Sequence, residues 1–371
     1  MIYLDYASST PVDKKVLDKY NEITINNFAN PNSMHKLGLE SKKIINECIK
    51  NISNNLNVSP EEVIFTSGAT ETNNMVIKGI CERYKNKGKH IIISSLEHNS
   101  IVSSATRMQE QGFEVSVVNI KKDGTIDIDE LKSLIRKDTI LVSICTIDSE
   151  LGIRQPIEEI AEFLKKYENI VFHTDASQAY GKTKLDLSNI DLVTIAPHKF
   201  YGLTGIGILI KKKKIMLKPL IDGGKSTTVY RSGTPDLNLI ASADVALDLT
   251  LKEYEKRTEY VTKLKDLLIN EINKLKKITI NSTDKSVPYI INISIKDEKG
   301  LSMVEKLEKY EIYVSSKTSC CPVSTPSKLV YALTKDKSLS QTSLRISLSH
   351  LTTREEIEYF IKTLKKIIEE D

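Results

Sequence analysis

The fold is decided by the stretch Thr194-Ile195-Ala196-Pro197-His198-Lys199-Phe200-Tyr201-Gly202, in which a lysine follows an apolar segment. A second stretch, Val171-Phe172-His173-Thr174-Asp175-Ala176-Ser177-Gln178, also begins apolar and ends in polar residues that include an aspartate. Asp175 and Lys199 lie 24 residues apart, which is enough for one strand-to-strand crossover in an α/β sheet. Because ligands of such sheets bind at the carboxyl ends of the strands, we expect both side chains at one site.

The same alternation extends from about Val63 to Ile210, where short β-type runs are separated by helix-like stretches. In the stretch 156–166, for example, the apolar side chains lie on one helical stripe. The pattern predicts a mostly parallel, seven-stranded sheet that is covered by helices on both faces. The predicted strands are 63–65, 90–94, 114–118, 140–145, 170–173, 192–195 and 205–210.

The character of the sequence changes after Gly233. A long helix is predicted at 238–275, followed by strands at 278–280, 289–295, 312–316 and 343–348. Thr353 and Glu356 form a capping box that begins a final helix. We therefore expect a large α/β domain at 15–245, and a smaller α+β domain formed by 1–14 and 246–371.

Composition indicates a globular protein with nearly balanced charge. The 371 residues are 40% hydrophobic and 27% charged, with a formal net charge of +4. The basic residues are spread along the chain and do not indicate nucleic-acid binding, and the run Lys211 to Lys214 is predicted to be a solvated turn. No segment resembles a signal peptide or a membrane span, so we expect a cytoplasmic location and no membrane partner.

Five cysteines in a chain of this length do not indicate a disulfide framework, and no metal site is expected. Cys48, Cys81 and Cys145 occur singly in apolar segments, which is typical of small buried side chains. Cys320 and Cys321 are adjacent in a segment rich in proline, serine and threonine, which favours a loop.

Lys199 and Asp175 together are the minimal set of side chains that an enzyme using pyridoxal 5'-phosphate (PLP) needs. A lysine amine can form a Schiff base with the cofactor's aldehyde, and a carboxylate can hold the pyridine nitrogen protonated. The turn Ser67-Gly68-Ala69-Thr70-Glu71 follows a predicted strand and opens a helix, which suits a phosphate. Many such turns bind nothing, so the turn alone is a weak signal.

Two histidines stand near this chemistry. His98 follows the predicted strand 90–94, where an imidazole can stack on a ring and shuttle protons. The alternative is an ordinary histidine in the first turn of a helix. His198 has the same ambiguity, although its neighbour Lys199 favours a contact with the phosphate or the ring.

The ordered motifs resemble those of NifS/IscS-like cysteine desulfurases, which belong to the class V aminotransferase group of fold-type I PLP enzymes. The resemblance covers nearly the whole chain. It rests on Tyr3-Leu4-Asp5-Tyr6-Ala7-Ser8-Ser9-Thr10-Pro11, Asn30-Pro31-Asn32-Ser33-Met34-His35, Ser67-Gly68-Ala69-Thr70-Glu71, Glu97-His98, Asp175-Ala176-Ser177-Gln178, His198-Lys199, Arg231-Ser232-Gly233-Thr234 and Arg345-Ile346-Ser347-Leu348.

The resemblance implies a role for each matching residue. Lys199 resembles the Schiff-base lysine and His98 the residue stacked on the ring. Other cofactor contacts fall on Ala69, Thr70, Asp175, Gln178, His198 and Thr234, of which Thr234 matches a phosphate ligand that the second subunit donates. A homodimer is therefore implied. Arg345 resembles the arginine that binds the substrate carboxylate, and Asn30 and Ser149 are assigned with it to the substrate.

Cys320 resembles the family's nucleophilic cysteine, because it follows Val-Ser-Ser and three further residues. The resemblance implies that L-cysteine becomes L-alanine and that the sulfur is held as a persulfide on Cys320 for an acceptor protein. An iron–sulfur scaffold, a tRNA-thiolation carrier and a selenium-pathway protein all remain open as acceptors. The role of Cys321 is also open.

Ser149 departs from the family, because it stands where an asparagine normally contacts the ring oxygen and the substrate carboxylate. Serine is shorter and offers fewer donors, so carboxylate recognition must be partly rebuilt. This departure keeps a second interpretation open, in which the substrate differs: a selenocysteine lyase, a C–S lyase or another class V aminotransferase. A third is a catalytically silent partner in sulfur transfer, against which Lys199 and Asp175 argue.

Overall fold

The computed structural model describes residues 1–317 and 325–370, so Cys320 and Cys321 lie outside the described residues. Its strands are β1 Ile2–Tyr3, β2 Val63–Thr66, β3 His90–Ser94, β4 Glu114–Val118, β5 Thr139–Ser143, β6 Val171–Asp175, β7 Leu192–Ile195, β8 Gly207–Lys211, β9 Ile278–Ile280, β10 Ile290–Ile295, β11 Ile312–Tyr313 and β12 Ser343–Ser347.

Eleven α-helices occur in the described ranges: α1 Lys14–Asn26, α2 Lys36–Asn55, α3 Ala69–Tyr84, α4 Asn99–Gln109, α5 Ile128–Leu134, α6 Ile157–Leu164, α7 Leu237–Ile272, α8 Gly300–Glu308, α9 Lys328–Thr334, α10 Lys337–Gln341 and α11 Arg354–Glu370. Short 3₁₀ turns span Pro60–Glu62 and Pro197–Lys199. None of the helices in 1–317 and 325–370 has the length and apolar composition that a membrane crossing needs.

The seven-stranded sheet has the order β2-β8-β7-β6-β5-β3-β4. All neighbouring pairs from β7 to β4 are parallel, and β8 runs antiparallel to both β2 and β7. Every residue of β3, β5, β6 and β7 is buried, as expected for parallel strands with both faces covered. The predicted sheet is therefore confirmed, with strand boundaries within a few residues.

A second sheet lies in the C-terminal part of the chain, with the antiparallel order β12-β10-β9. At the extreme N-terminus, β1 and β11 form a separate parallel pair. The next residue meets the three-stranded sheet, because Leu4 O accepts from Ser347 N of β12 at 2.7 Å. The predicted capping box is present, since Thr353 N donates to Glu356 at 2.8 Å and Glu356 N to Thr353 Oγ1 at 3.2 Å. Further along the N-terminal segment, Thr10 N donates to His198 O at 3.1 Å, just after the carboxyl end of β7 in the large sheet.

The prediction of a solvated turn at Lys211 to Lys214 was wrong for its first residue. Lys211 ends β8 and is buried, and its Nζ donates to Ile215 O at 2.8 Å. Lys213 and Lys214 are exposed, as predicted. The strand simply continues one residue into the basic run, where a carbonyl satisfies the ammonium.

Candidate active site

A cavity of about 450 Å³ opens at the carboxyl ends of β3, β6 and β7. Such a volume suits a small-molecule ligand. The cavity brings together most of the residues predicted for cofactor and substrate, namely Ala69, Thr70, His98, Ser149, Asp175, Gln178, His198, Lys199 and Arg345.

Lys199 ends the 3₁₀ turn that follows β7. Its Nζ donates to Ala7 O at 2.8 Å and to Ser8 O at 2.6 Å. Both carbonyls belong to the N-terminal segment, which Thr10 fastens to the same turn through His198 O at 3.0 Å. The lysine amine is thus held at the cavity wall by backbone carbonyls.

Asp175 is the last residue of β6, and its carboxylate is held in one orientation. One oxygen accepts from Ser177 N at 2.9 Å, and the other accepts from Asn73 Nδ2 at 2.7 Å. Asn73 lies on α3 and also donates to Ser100 Oγ at 2.9 Å. The sequence analysis missed Asn73, although its position three residues after Thr70 puts both on one face of α3.

The turn before α3 packs closely against the backbone of β8. Gly68 precedes the helix, so the first N–H groups of α3 have no capping side chain. A Cβ on Gly207 of β8 would lie 2.6 Å from the carbonyl carbon of Gly68 and from Thr66 Oγ1. The helix N-terminus therefore offers an anion its N–H groups, with Thr70 at the cavity.

The two histidines are held neutral at neutral pH. Burial lowers the pKa of His98, and the nearby Lys199 lowers it further while Asp175 opposes both. Ser100 N donates to His98 Nδ1 at 3.2 Å, so the neutral ring carries its proton on Nε2. Burial, followed by Lys199 and Lys182, lowers the pKa of His198 to about 4.

Gln178 is oriented by contacts at both ends of its amide. Its Nε2 donates to Ala7 O at 2.8 Å, and its Oε1 accepts from Lys182 Nζ at 3.0 Å. Burial lowers the pKa of Lys182 to about 7, and the neighbouring cations Lys199 and Arg345 add to this. Lys182 was not singled out in the sequence, since a lone lysine after a glycine carries no signal.

Arg345 is 1% exposed and projects from β12. Its Nη2 donates to Asp5 Oδ1 at 2.6 Å and to Ser8 Oγ at 2.5 Å, and its Nη1 donates to Ser149 O at 2.7 Å. Asp5 therefore already balances the charge of the guanidinium. Ser149 contributes its backbone carbonyl to this contact.

Two buried carboxyl groups lie at or next to the cavity: Asp148 lines it, and Glu97 lies between the lining residues Leu96 and His98 in the chain. Burial raises the pKa of Glu97 to about 8, and its Oε1 accepts from Ser94 Oγ at 2.6 Å and Cys145 N at 2.8 Å. Burial also raises the pKa of Asp148 to about 6, while three backbone N–H groups of 150–153 oppose the rise. Cys48, Cys81 and Cys145 are buried as predicted, and Cys145 also lines the cavity.

Two predicted residues do not reach the cavity within this chain. Asn30 is exposed and caps its own turn through Asn32 N at 2.9 Å. Thr234 lines a neighbouring cleft of about 220 Å³ with Arg231 and Ser226. Their assignments stay predictions, as does that of Cys320.

The described residues fit PLP. The helix N-terminus of α3 suits a phosphate, Asp175 presents a fixed carboxylate, and Lys199 supplies a primary amine, all on one cavity. A buried donor, Arg345 Nε, has no acceptor among the described residues, which is typical of a site built for an anion.

Comparison with known proteins gives the family. The Aminotransferase class-V model matches residues 2–360. A cysteine desulfurase IscS from Dictyoglomus turgidum is 36% identical over 99% of this chain and 94% of its own. A mitochondrial cysteine desulfurase from Saccharomyces cerevisiae is 38% identical over 98% of this chain and 74% of its own.

Solved structures give the same result. A structure described as a NifS-like protein has a TM-score of 0.94 at 30% identity, over 99% of both chains. A second, described as SspA in complex with cysteine, has a TM-score of 0.84 at 30% identity, over 95% of this chain and all of that one. The chain belongs to the class-V aminotransferase family and, within it, to the NifS/IscS-like cysteine desulfurases. The predicted family, fold type and PLP dependence are confirmed.

Proposed function

We propose that this chain is a PLP-dependent cysteine desulfurase, which converts L-cysteine to L-alanine and holds the sulfur on Cys320. One observation carries the proposal: a single cavity presents Lys199, Asp175 and Arg345. An amine, a carboxylate and a guanidinium are the three groups that an amino-acid enzyme of this family needs at one place.

The cofactor would be held by groups whose positions are fixed. Asp175 would face the ring nitrogen, and its two hydrogen bonds would keep the carboxylate in one orientation. Neutral His98 would cover the ring, and the N-terminus of α3 with Thr70 would bind the phosphate. His198 would add an N–H donor to the phosphate, and Gln178 a donor to the ring oxygen.

Lys199 would both hold the cofactor's aldehyde and move the substrate's α-proton. PLP, when bound, supplies an electron sink that makes this proton acidic. In the described structure the Lys199 amine is held by two carbonyls of the N-terminal segment. Those carbonyls would keep the amine at the cavity wall when it is not joined to the cofactor.

The sulfur step would use Cys320. Its thiolate would attack the substrate sulfur, so that an S–S bond forms, the Cβ–S bond breaks and Cβ takes a proton. Return of a proton to Cα would then give L-alanine. Hydrogen bonds on both sides of the segment that contains Cys320 join its ends to residues at or next to the cavity, which supports this role. Ser315 pairs with the backbone of Arg345 at 2.6 and 3.2 Å, and Ser327 donates to Glu150, next to Ser149.

We further propose a homodimer. Three side chains in the last turn of α1 and in the loop that leads to α2 are large, apolar and mostly exposed: Ile25 at 74%, Phe28 at 81% and Met34 at 85%. Burying them against a second copy would remove this apolar surface from water. Thr234 and Asn30 lie outside the cavity of their own chain, which suits donation to a partner's site. Light scattering during size-exclusion chromatography tests the stoichiometry, and a monomer would contradict it.

The domain division and the location also stay proposals. The seven-stranded sheet lies within 63–211 and the three-stranded sheet within 278–347, which supports domains at 15–245 and at 1–14 with 246–371. Some relatives are mitochondrial by name, so the cytoplasmic location rests on the sequence alone.

Borohydride reduction of the PLP-loaded protein tests the cofactor site. We expect the visible band to disappear and mass spectrometry of the digest to place the cofactor mass on Lys199. A Lys182→Ala variant is the matched control, since Lys182 is a neighbouring buried lysine. Labelling of Lys182, or of several surface lysines, would contradict the assignment.

A further inference from the structure

The guanidinium of Arg345 is largely occupied by the protein itself. Of its five N–H groups, one on Nη1 donates to Ser149 O and two on Nη2 donate to Asp5 and Ser8. Asp5 supplies a full negative charge at 2.6 Å. A substrate carboxylate would therefore meet an arginine that is already paired, so it needs a further donor.

Nε of Arg345 is one donor that remains. It is buried, and the described residues provide it with no acceptor. An unsatisfied buried N–H costs free energy that a carboxylate ligand would recover. The guanidinium thus keeps one donor unpaired while the protein fixes its plane.

Ser8 supplies a second donor. Its hydroxyl accepts from Arg345 Nη2, and a hydroxyl oxygen that accepts still has its own hydrogen to donate. Among the described residues, that hydrogen has no acceptor. Ser8 lines the cavity, and its carbonyl lies 2.6 Å from Lys199 Nζ, so the hydroxyl is close to the amine that would take the α-proton.

We propose that the Ser8 hydroxyl, together with Arg345 Nε, binds the α-carboxylate of the substrate and determines specificity for an amino acid. This inference rests on the proposed amino-acid substrate. Ser8 then replaces part of the hydrogen-bond donation that is lost where Ser149 stands in place of the family's asparagine. Ser149 itself contacts Arg345 through its backbone carbonyl. The α-carboxylate and the α-proton are both bonded to the α-carbon, which matches the closeness of Ser8 and Lys199.

The test compares Ser8→Ala, Ser8→Thr and the control Ser9→Ala, each loaded with PLP. Ser9 is the next residue and does not line the cavity. We expect Ser8→Ala to raise KM for L-cysteine roughly tenfold to a hundredfold, the effect of one hydrogen bond to a charged group, with little change in kcat. Ser8→Thr keeps the hydroxyl and should retain most of the affinity.

Ligand binding separates a carboxylate contact from a structural role. We expect Ser8→Ala to weaken binding of L-alanine by the same factor as KM, and to leave binding of ethylamine, which lacks the carboxylate, unchanged. Equal losses for both ligands, or the same L-alanine affinity as Ser9→Ala, would overturn the inference. If the wild type fails to turn over L-cysteine, the proposed function fails, but the comparison of the two ligands still reports on Ser8.

Discussion

Asn73 and Asp175 are 102 residues apart in the sequence, yet Asn73 Nδ2 donates to Asp175 Oδ2 at 2.7 Å. Ser177 N occupies the other oxygen of the carboxylate at 2.9 Å. A carboxylate with both oxygens bound to donors is fixed in orientation. The helix that carries the proposed phosphate site thereby also orients the proposed partner of the ring nitrogen.

The first prediction concerns Asp175→Asn. The new NH2 group must face either Ser177 N–H or Asn73 NH2, donor against donor, and the negative charge is lost. We expect L-cysteine turnover to fall roughly 100-fold or more, since a charged hydrogen-bonded contact is removed. Asp191→Asn is the control, because Asp191 is a buried carboxylate that accepts from Phe172 N at 3.0 Å outside the cavity. Equal loss of turnover in both variants would show a general effect of removing a buried charge.

The second prediction concerns Glu97→Gln and pH. The pKa of Glu97 is raised to about 8 by burial, so the folded protein keeps this carboxyl protonated while the unfolded chain ionises it near pH 4.5. The folded state therefore holds this proton more tightly than the unfolded state does. Its contribution to the free energy of unfolding is fully present below pH 4.5 and is lost as pH rises through 8. Glutamine keeps the acceptor for Ser94 and Cys145 without ionising. We expect the variant to gain stability relative to wild type from pH 5 to pH 9 in urea unfolding. A constant difference would contradict the prediction.

The third prediction concerns Gly207→Ala. Its Cβ would lie 2.6 Å from the Gly68 carbonyl carbon, so β8 and the turn before α3 must move apart. We expect about 1–3 kcal/mol of lost stability and weaker PLP binding, measured by unfolding and by cofactor titration. In the control Gly224→Ala the new Cβ meets nothing within 4 Å. Equal PLP affinity in the two variants would contradict the assignment of the phosphate to this turn.

The fourth prediction concerns Lys182→Met. Burial, with Lys199 and Arg345 nearby, lowers the pKa of Lys182 from 10.5 to about 7. The cost of burying this group is absent above pH 10.5 and is fully present below pH 7. We expect the stability of the Met variant relative to wild type to increase from pH 10 to pH 7. Lys184→Met is the control, because its exposed pair with Glu255 raises the pKa of Lys184 and gives the opposite trend. The same trend in both variants would contradict the prediction.

The sequence predicted the large sheet and most of the cavity because both depend on local patterns. Apolar runs that alternate with helical stripes predict parallel strands, and Asp175 and Lys199 follow such runs directly. The contacts of Asn73, Lys182 and Ser8 could not be predicted in this way. They join segments more than 100 residues apart, or depend on which atom of a side chain faces a neighbour.

Glu97 illustrates the same limit. Its charge suggests an exposed residue or an acid catalyst, whereas the structure buries it with two donors on one oxygen. Burial is a property of the packed fold, so the pKa of this group could not be inferred from the residues beside it.

Production of L-alanine from L-cysteine by the PLP-loaded protein tests the central claim most directly, with Cys320→Ser and its neighbour Cys321→Ser measured beside the wild type. We predict alanine from the wild type and from Cys321→Ser, a persulfide that mass spectrometry maps to Cys320, and no alanine from Cys320→Ser. Alanine formed undiminished by Cys320→Ser, or none from a wild-type protein with bound PLP, would contradict the account.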